Sequence, residues 1–127
     1  MKPILPCDND LENSVLGIMI LYPEVYPEIR DYMIVDEVFH QGKAQLLWKK
    51  LKSMLGQKEF IDIKTVASSI TDDDRTGGLT HVYVVDCTVA AGLSSAAPTY
   101  SKKLYEKYLM RRVVEETSKI QMLAMKS

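Results

Sequence analysis

The chain has 127 residues, 46% of them hydrophobic, and a formal net charge of -1. That is the length of one domain with apolar content for one core, and the charge balance argues against a dedicated nucleic-acid binder, whose footprint is strongly basic. Two cysteines, Cys7 and Cys87, form neither a CxxC pair nor a secreted disulfide framework, and the apolar run from Val15 to Tyr22 falls far short of the ~20 residues that span a bilayer. Met1 to Asp10 is no signal peptide, so the expectation is a soluble cytoplasmic domain without membrane association. The charges are uneven. Met1 to Gln41 holds two basic and eight acidic residues, whereas Ala97 to Ser127 holds seven basic and three acidic. Such polarity suits docking on another protein or on a second copy, although solvated faces explain it equally well.

Asn9-Asp10-Leu11-Glu12 reads as a capping box with Asn9 as N-cap. Leu11, Val15, Ile18, Met19 and Tyr22 then fall at helical spacing, and Pro23 ends the helix. A second, shorter helix is expected from Pro23 or Glu24 to Tyr32, with Val25, Ile29 and Met33 inward. Val38 and Phe39 should pin the following linker to the core. A third helix, Gln41 to Gln57, buries Ala44, Leu47, Trp48, Leu51, Met54 and Leu55, carries a row of lysines, and is ended by Gly56. Asp62 looks like the N-cap of a short helix bearing Ile63, Val66, Ala67 and Ile70. Thr71 to Gly78 (TDDDRTGG) has too little apolar content to read as anything but a surface loop.

Val82-Tyr83-Val84-Val85 has the composition of a strand. No second strand exists for it to pair with, and a lone strand leaves its backbone groups unsatisfied, so a helix is expected with this β-branched centre in the core. Leu79, Val82, Tyr83 and Ala90 would share one face with Asp86. Gly92, Ser94 and Ser95 mark a joint, and Pro98 opens a helix that no Gly or Pro interrupts as far as Lys126. At ~1.5 Å per residue it is a rod of roughly 43 Å, too long to bury its whole stripe on one small domain. That stripe reads Tyr100, Leu104, Tyr108, Leu109, Val113, Ile120, Leu123 and Ala124.

The chain contains no P-loop GxxxxGK[ST] and no GxGxxG. The histidines and cysteines lack metal-ligand spacing, and Asp72-Asp73-Asp74 lacks the regular spacing of a calcium loop. His81 and Cys87, six residues apart, point in roughly opposite directions on a helix and read as packing residues. No catalytic, metal-binding or cofactor-binding residue is therefore assigned. What stands out is a basic series on the last helix, Lys103, Lys107 and Arg111 with Lys102 and Arg112 beside it. Such a face suits an acidic protein surface or a phosphate backbone, and an ordinary solvated helix face fits it too. Glu115 and Lys119 form a helix-supporting pair. The candidate interaction surface is Tyr100, Leu104, Lys107, Tyr108, Arg111 and Arg112.

With its elements in this order the chain resembles the N-terminal domain of bacterial and phage replicative hexameric DNA helicases of the DnaB type. Leu11-Glu12-Asn13-Ser14-Val15-Leu16-Gly17 is similar to that family's first helix, written AEQAVLG, and Pro23-Glu24 to the break that follows. Asp62-Ile63-Lys64-Thr65-Val66-Ala67 resembles its D-x-x-T-V-A helix, and Gly77-Gly78-Leu79 its GGL turn. Ser95-Ala96-Ala97, Tyr100, Glu106, Lys107, Leu109, Arg111 and Arg112 resemble the SAAN…Y…EK…L-x-RR segment. Departures are Gly42 and Ala44 where the family often has Pro and His, and Pro98 where it has Asn.

The resemblance implies an all-α fold, a compact multi-helix orthogonal bundle followed by a long projecting helix that is the first half of a helical hairpin. Residues 1–97 would be the globular head and residues 98–127 the start of the dimerising hairpin. In such helicases the hairpins pair subunits, and a trimer of dimers makes the collar of the hexameric ring, which docks primase and contacts a helicase loader. ATP, Mg and most DNA contacts belong there to a RecA-like C-terminal domain absent from this sequence. The chain is thus expected to be a fragment of a larger helicase, no enzyme by itself, and monomeric or weakly associating. A stand-alone helical adaptor in phage or plasmid replication is the alternative.

Overall fold

A computed structural model describes residues 5–126; Met1–Ile4 and Ser127 lie outside it, and with them the first part of the Met1–Asp10 reading and the last residue of the 98–127 segment. The described residues form seven α-helices and no strand: α1 (Asn9–Leu21), α2 (Tyr26–Ile29), α3 (Gly42–Gly56), α4 (Ile63–Ser68), α5 (Asp72–Thr76), α6 (His81–Ala90) and α7 (Ala97–Lys126). Single 3₁₀ turns occupy Pro23–Val25, Asp36–Val38 and Ser94–Ala96. The all-α reading and the helix at Val82 to Val85 hold.

Helix α1 is the axis of the head. Its six residues from Val15 to Ile20 are all buried, so it is covered on every side rather than along one stripe. Tyr22, expected on the buried stripe, is exposed. Asp8, and not Asn9, caps the helix, accepting from the Leu11 amide at 2.9 Å. The second helix keeps Val25, Ile29 and Met33 inward but is a 3₁₀ turn plus one α-turn, and stops short of Tyr32. Trp48 of α3, fully buried, meets Phe39 and Tyr26 at ring-centroid distances of 5.6 and 5.9 Å.

Thr71 to Gly78 is not the loop its composition suggested. Helix α5 forms there with none of its residues buried. The Thr71 hydroxyl accepts from the Asp74 amide at 3.1 Å, and the Asp74 carboxylate accepts from the Thr71 amide at 2.9 Å. Three acids in its first turn complement the helix dipole. A reciprocal cap thus makes one helical turn without a hydrophobic stripe. The Thr71 amide, with Lys50 at 3.0 Å, holds the Asp74 carboxyl below its ordinary pKa.

Helix α6 lies against α1 at a distance only glycine allows. A Cβ on Gly17 would overlap the Cys87 carbonyl, with the carbonyl carbon 2.6 Å away and the Ala91 methyl at 3.1 Å. The Ser14 hydroxyl crosses the same seam to the Ala90 carbonyl at 2.7 Å. Burial at this seam pushes the Cys87 thiol up to about 12, so it packs and stays un-ionised at neutral pH. His81, expected to pack, is exposed. The inward face of α6 is Tyr83, Val84 and Cys87, continued by Ala91, whereas Val82, Val85 and Val89 face outward. Only Val84 of the three valines at 82–85 is core.

Helix α7 also departs from its single stripe. Ala97, Ser101, Leu104 and Arg111 are buried in the head, flanked by half-buried Tyr100, Tyr105 and Tyr108. At about 100° per residue, Leu109, Val113 and Ile120 fall on the side opposite Leu104, and all three are exposed. The helix carries two apolar faces in succession: the first roots it in the head, and the second turns away.

Two outcomes follow from these contacts. Gly17→Ala should cost about 3 kcal/mol or more, because only a shift of the α6 backbone relieves the overlap, while Gly42→Ala, which meets nothing within 4 Å, should be neutral or gain up to about 1 kcal/mol; urea denaturation measures both. Asp74 has a depressed folded pKa, so its stabilisation is complete above about pH 4 and is lost as pH falls through the folded value. Wild type should therefore exceed Asp74→Asn in stability at pH 7, by about 1 kcal/mol, with the gap narrowing below pH 4; a pH-independent gap would contradict this.

Candidate functional site

The structure converges on the linker before α3. Glu12, buried on α1, accepts from the His40 amide at 2.7 Å, the Gln41 amide at 3.1 Å and the Gln41 side-chain amide at 3.1 Å. Gln41 is the N-cap residue of α3 and its own side chain makes no cap. A carboxylate from α1 therefore caps α3, where aligned amides favour negative charge. Arg111 of α7 holds the same linker from its carbonyl side, donating to the oxygens of Glu37 at 2.6 Å, Val38 at 3.2 Å and Pro6 at 3.0 Å. Val38 and Phe39 between these holds are fully buried, as expected.

Asn13 extends the network, its side-chain oxygen accepting from the Tyr83 hydroxyl at 2.8 Å and from the Gln41 amide group at 3.2 Å. Four consecutive functions lie within Leu11–Gly17: Glu12 caps α3, Asn13 binds Tyr83, Ser14 binds the end of α6, and Gly17 lets α6 approach. Sequence reasoning placed Glu12 in a local capping box; it is instead a tertiary cap. The missed signal is its position, three, four and seven residues before Val15, Leu16 and Met19, on a buried face. Arg111 carries the same signal, seven residues after Leu104.

The six candidate contact residues divide accordingly. Leu104 and Arg111 are buried within the head and present no free surface on it. A step of four residues advances about 40° around a helix, so the series Lys103, Lys107 and Arg111 drifts beneath the head: Lys103 is exposed, Lys107 half-buried and Arg111 enclosed. Tyr100 is half-buried in the head face, and Tyr108 stacks near Tyr105 at 6.3 Å with the Arg111 guanidinium 6.0 Å from its ring centre. Arg112 is exposed and pairs with Glu116 at 3.1 Å and Glu115 at 3.8 Å. Lys119 meets Glu116 at 3.5 Å rather than Glu115. Tyr108, Arg111 and Arg112 border one shallow recess with Glu37 and Glu115; Lys107 lines another with Asp8, Leu11 and Met110.

The fold and the gripped linker define an all-α head that orients one long helix leaving it. The sequence model of the DnaB-like helicase N terminal domain matches residues 4–106, and the chain belongs to that family. It is 27% identical over 110 residues to the replicative DNA helicase DnaB of Rhodothermus marinus, covering 84% of this chain and 11% of that protein. It is also 27% identical over 118 residues to the replicative DNA helicase DnaB of a Synechocystis strain, covering 89% of this chain and 13% of that one. The chain thus spans a small part of the length of these relatives. Its fold matches the crystal structure of the N-terminal domain of DnaB helicase from Mycobacterium tuberculosis with a TM-score of 0.86, at 23% identity, over 98% of this chain and 88% of that chain.

Removing one side of the linker grip leaves buried groups of the other kind unpaired. Glu12→Gln and Arg111→Met should each cost about 2–4 kcal/mol, and the double variant should cost less than their sum, because both hold one segment. Chemical denaturation of the three variants measures it; strict additivity would contradict a shared grip.

Proposed function

We propose that this chain is the N-terminal interaction domain of a replicative DNA helicase, which forms the ring collar by self-association as a trimer of dimers and docks primase and a helicase loader. The carrying observation is the second apolar face of α7. Leu109, Val113 and Ile120 point away from the head on a helix of 30 residues whose first half is already anchored. An exposed stripe on a rigid helix is the surface a second helix covers in a hairpin or a subunit pair. The surfaces for primase and loader are assigned to exposed Arg112 and half-buried Lys107, with half-buried Tyr100 and Tyr108 at the edge of the head. ATP and Mg, and most DNA contacts, belong in this reading to a RecA-like domain encoded beyond these residues. Among the described residues, no helix is long and apolar enough to cross a membrane.

The test is made on the whole gene product. Coding sequence after Ser127 should enter a P-loop domain, and a stop codon there would sink the reading in favour of a stand-alone adaptor. Val113→Glu combined with Ile120→Glu should break the hexamer into smaller species by light scattering. Their effect on the head's own stability should stay within about 0.5 kcal/mol, because neither residue touches the core. An intact hexamer would refute the collar role, and absence of measurable binding by the cognate primase C-terminal domain would refute primase docking.

A further inference from the structure

Helix α6 leaves a second apolar surface open that neither the head nor the α7 reading uses. Val82, Val85 and Val89 are 69%, 47% and 82% exposed, and Leu93 just beyond the helix is 74% exposed. The spacing of three and four residues puts Val82, Val85 and Val89 on one strip of α6 opposite Tyr83, Val84 and Cys87, and Leu93 is exposed just past the end of the helix. The four side chains together amount to apolar area on the order of 400 Å², at the size where a patch on a monomer marks a contact. The only charged residue in register with the strip is Asp86, also exposed.

Two considerations choose the occupant. A stable dimer needs roughly 800 Å² per partner, about twice this strip, and a two-fold antiparallel pairing of α6 centred on its middle would set Asp86 beside its own symmetry mate. A single amphipathic helix presenting apolar residues at i, i+3 or i+4, and i+7 covers about this area. A lysine or arginine at its edge would answer Asp86. We infer that the outward face of α6 docks a short amphipathic helix, with basic residues flanking its apolar face, from a different protein. The partner's helix lies along Val82, Val85 and Val89, with its cation at Asp86. This inference is independent of the collar assignment, since it concerns a different helix and no residue of α7.

The probe is a designed 15-residue amphipathic helix with leucines on one face and lysines flanking them, beside a twin in which glutamates replace the lysines. Titrated into the isotopically labelled chain, the lysine peptide should shift the amide signals of Val82, Val85, Asp86, Val89 and Leu93. Its affinity should fall about tenfold in the glutamate twin, in Val89→Ser and in Asp86→Lys, while Asp86→Lys should reverse the preference between the two peptides. Val89 and Asp86 are exposed, so an unchanged far-UV spectrum checks the fold of both variants. No binding, shifts centred on Leu109 and Val113 or on Phe60, or equal affinity for the two peptides would each overturn the inference. So would self-association of the chain that Val89→Ser abolishes, since a second copy would then be the occupant.

Discussion

The architecture depends on one short piece of backbone held from both sides. Residues 37–41 end the segment that links α2 to α3, and buried backbone amides and carbonyls without partners cost free energy. Here Arg111 takes the carbonyls of Glu37 and Val38, and Glu12 takes the amides of His40 and Gln41. Each buried charge is neutralised by peptide dipoles rather than by direct pairing with the other. The linker thus fixes three helices relative to one another: α1, which supplies Glu12; α3, which begins at Gly42; and α7, which supplies Arg111.

That constraint explains why α7 projects in a set direction. A helix on a flexible joint would present its distal face randomly; α7 is fixed at Ala97, Leu104 and Arg111, with Tyr105 packed between Tyr108 and Tyr32 of the segment after α2. Its apolar residues change sides where the head ends. Leu109 is the first of the outward set and Arg111 the last of the buried set, so the two faces overlap by less than one turn. The exchange anchors the first half of the helix and leaves the apolar face of the second half, Leu109, Val113 and Ile120, exposed.

Much of this was legible in the sequence, and what was not has identifiable causes. The helices at α1, α3 and α4 were readable because their apolar spacing is regular and Asp62 forms a true capping box with Thr65. The helix at α6 was legible only by elimination, since its valines favour a strand locally. Its orientation was not legible, because Val82, Val84 and Val85 are alike in composition and packing on α1 and α4 decides which enters the core. α5 was missed because its stability comes from Thr71, Asp74 and Lys50 rather than from hydrophobic periodicity. Glu12 was read as part of a local capping box and Arg111 as a contact residue, since one sequence shows position on a face but not the backbone waiting opposite. Of the six candidate contact residues, spacing placed all on α7 but missed the rotation that buries Leu104 and Arg111 in the head.

Amide hydrogen exchange under native conditions tests the grip directly. The His40 and Gln41 amides, held by a buried carboxylate, should exchange only with global unfolding, as slowly as the amides of Val15 to Ile20 in α1. Amides of α7 beyond Val113 should exchange faster, since none of the described residues there is buried and most are exposed. Exchange at His40 and Gln41 at rates typical of a solvent-exposed linker would show that the segment is not held, and the account of how the head orients α7 would fail.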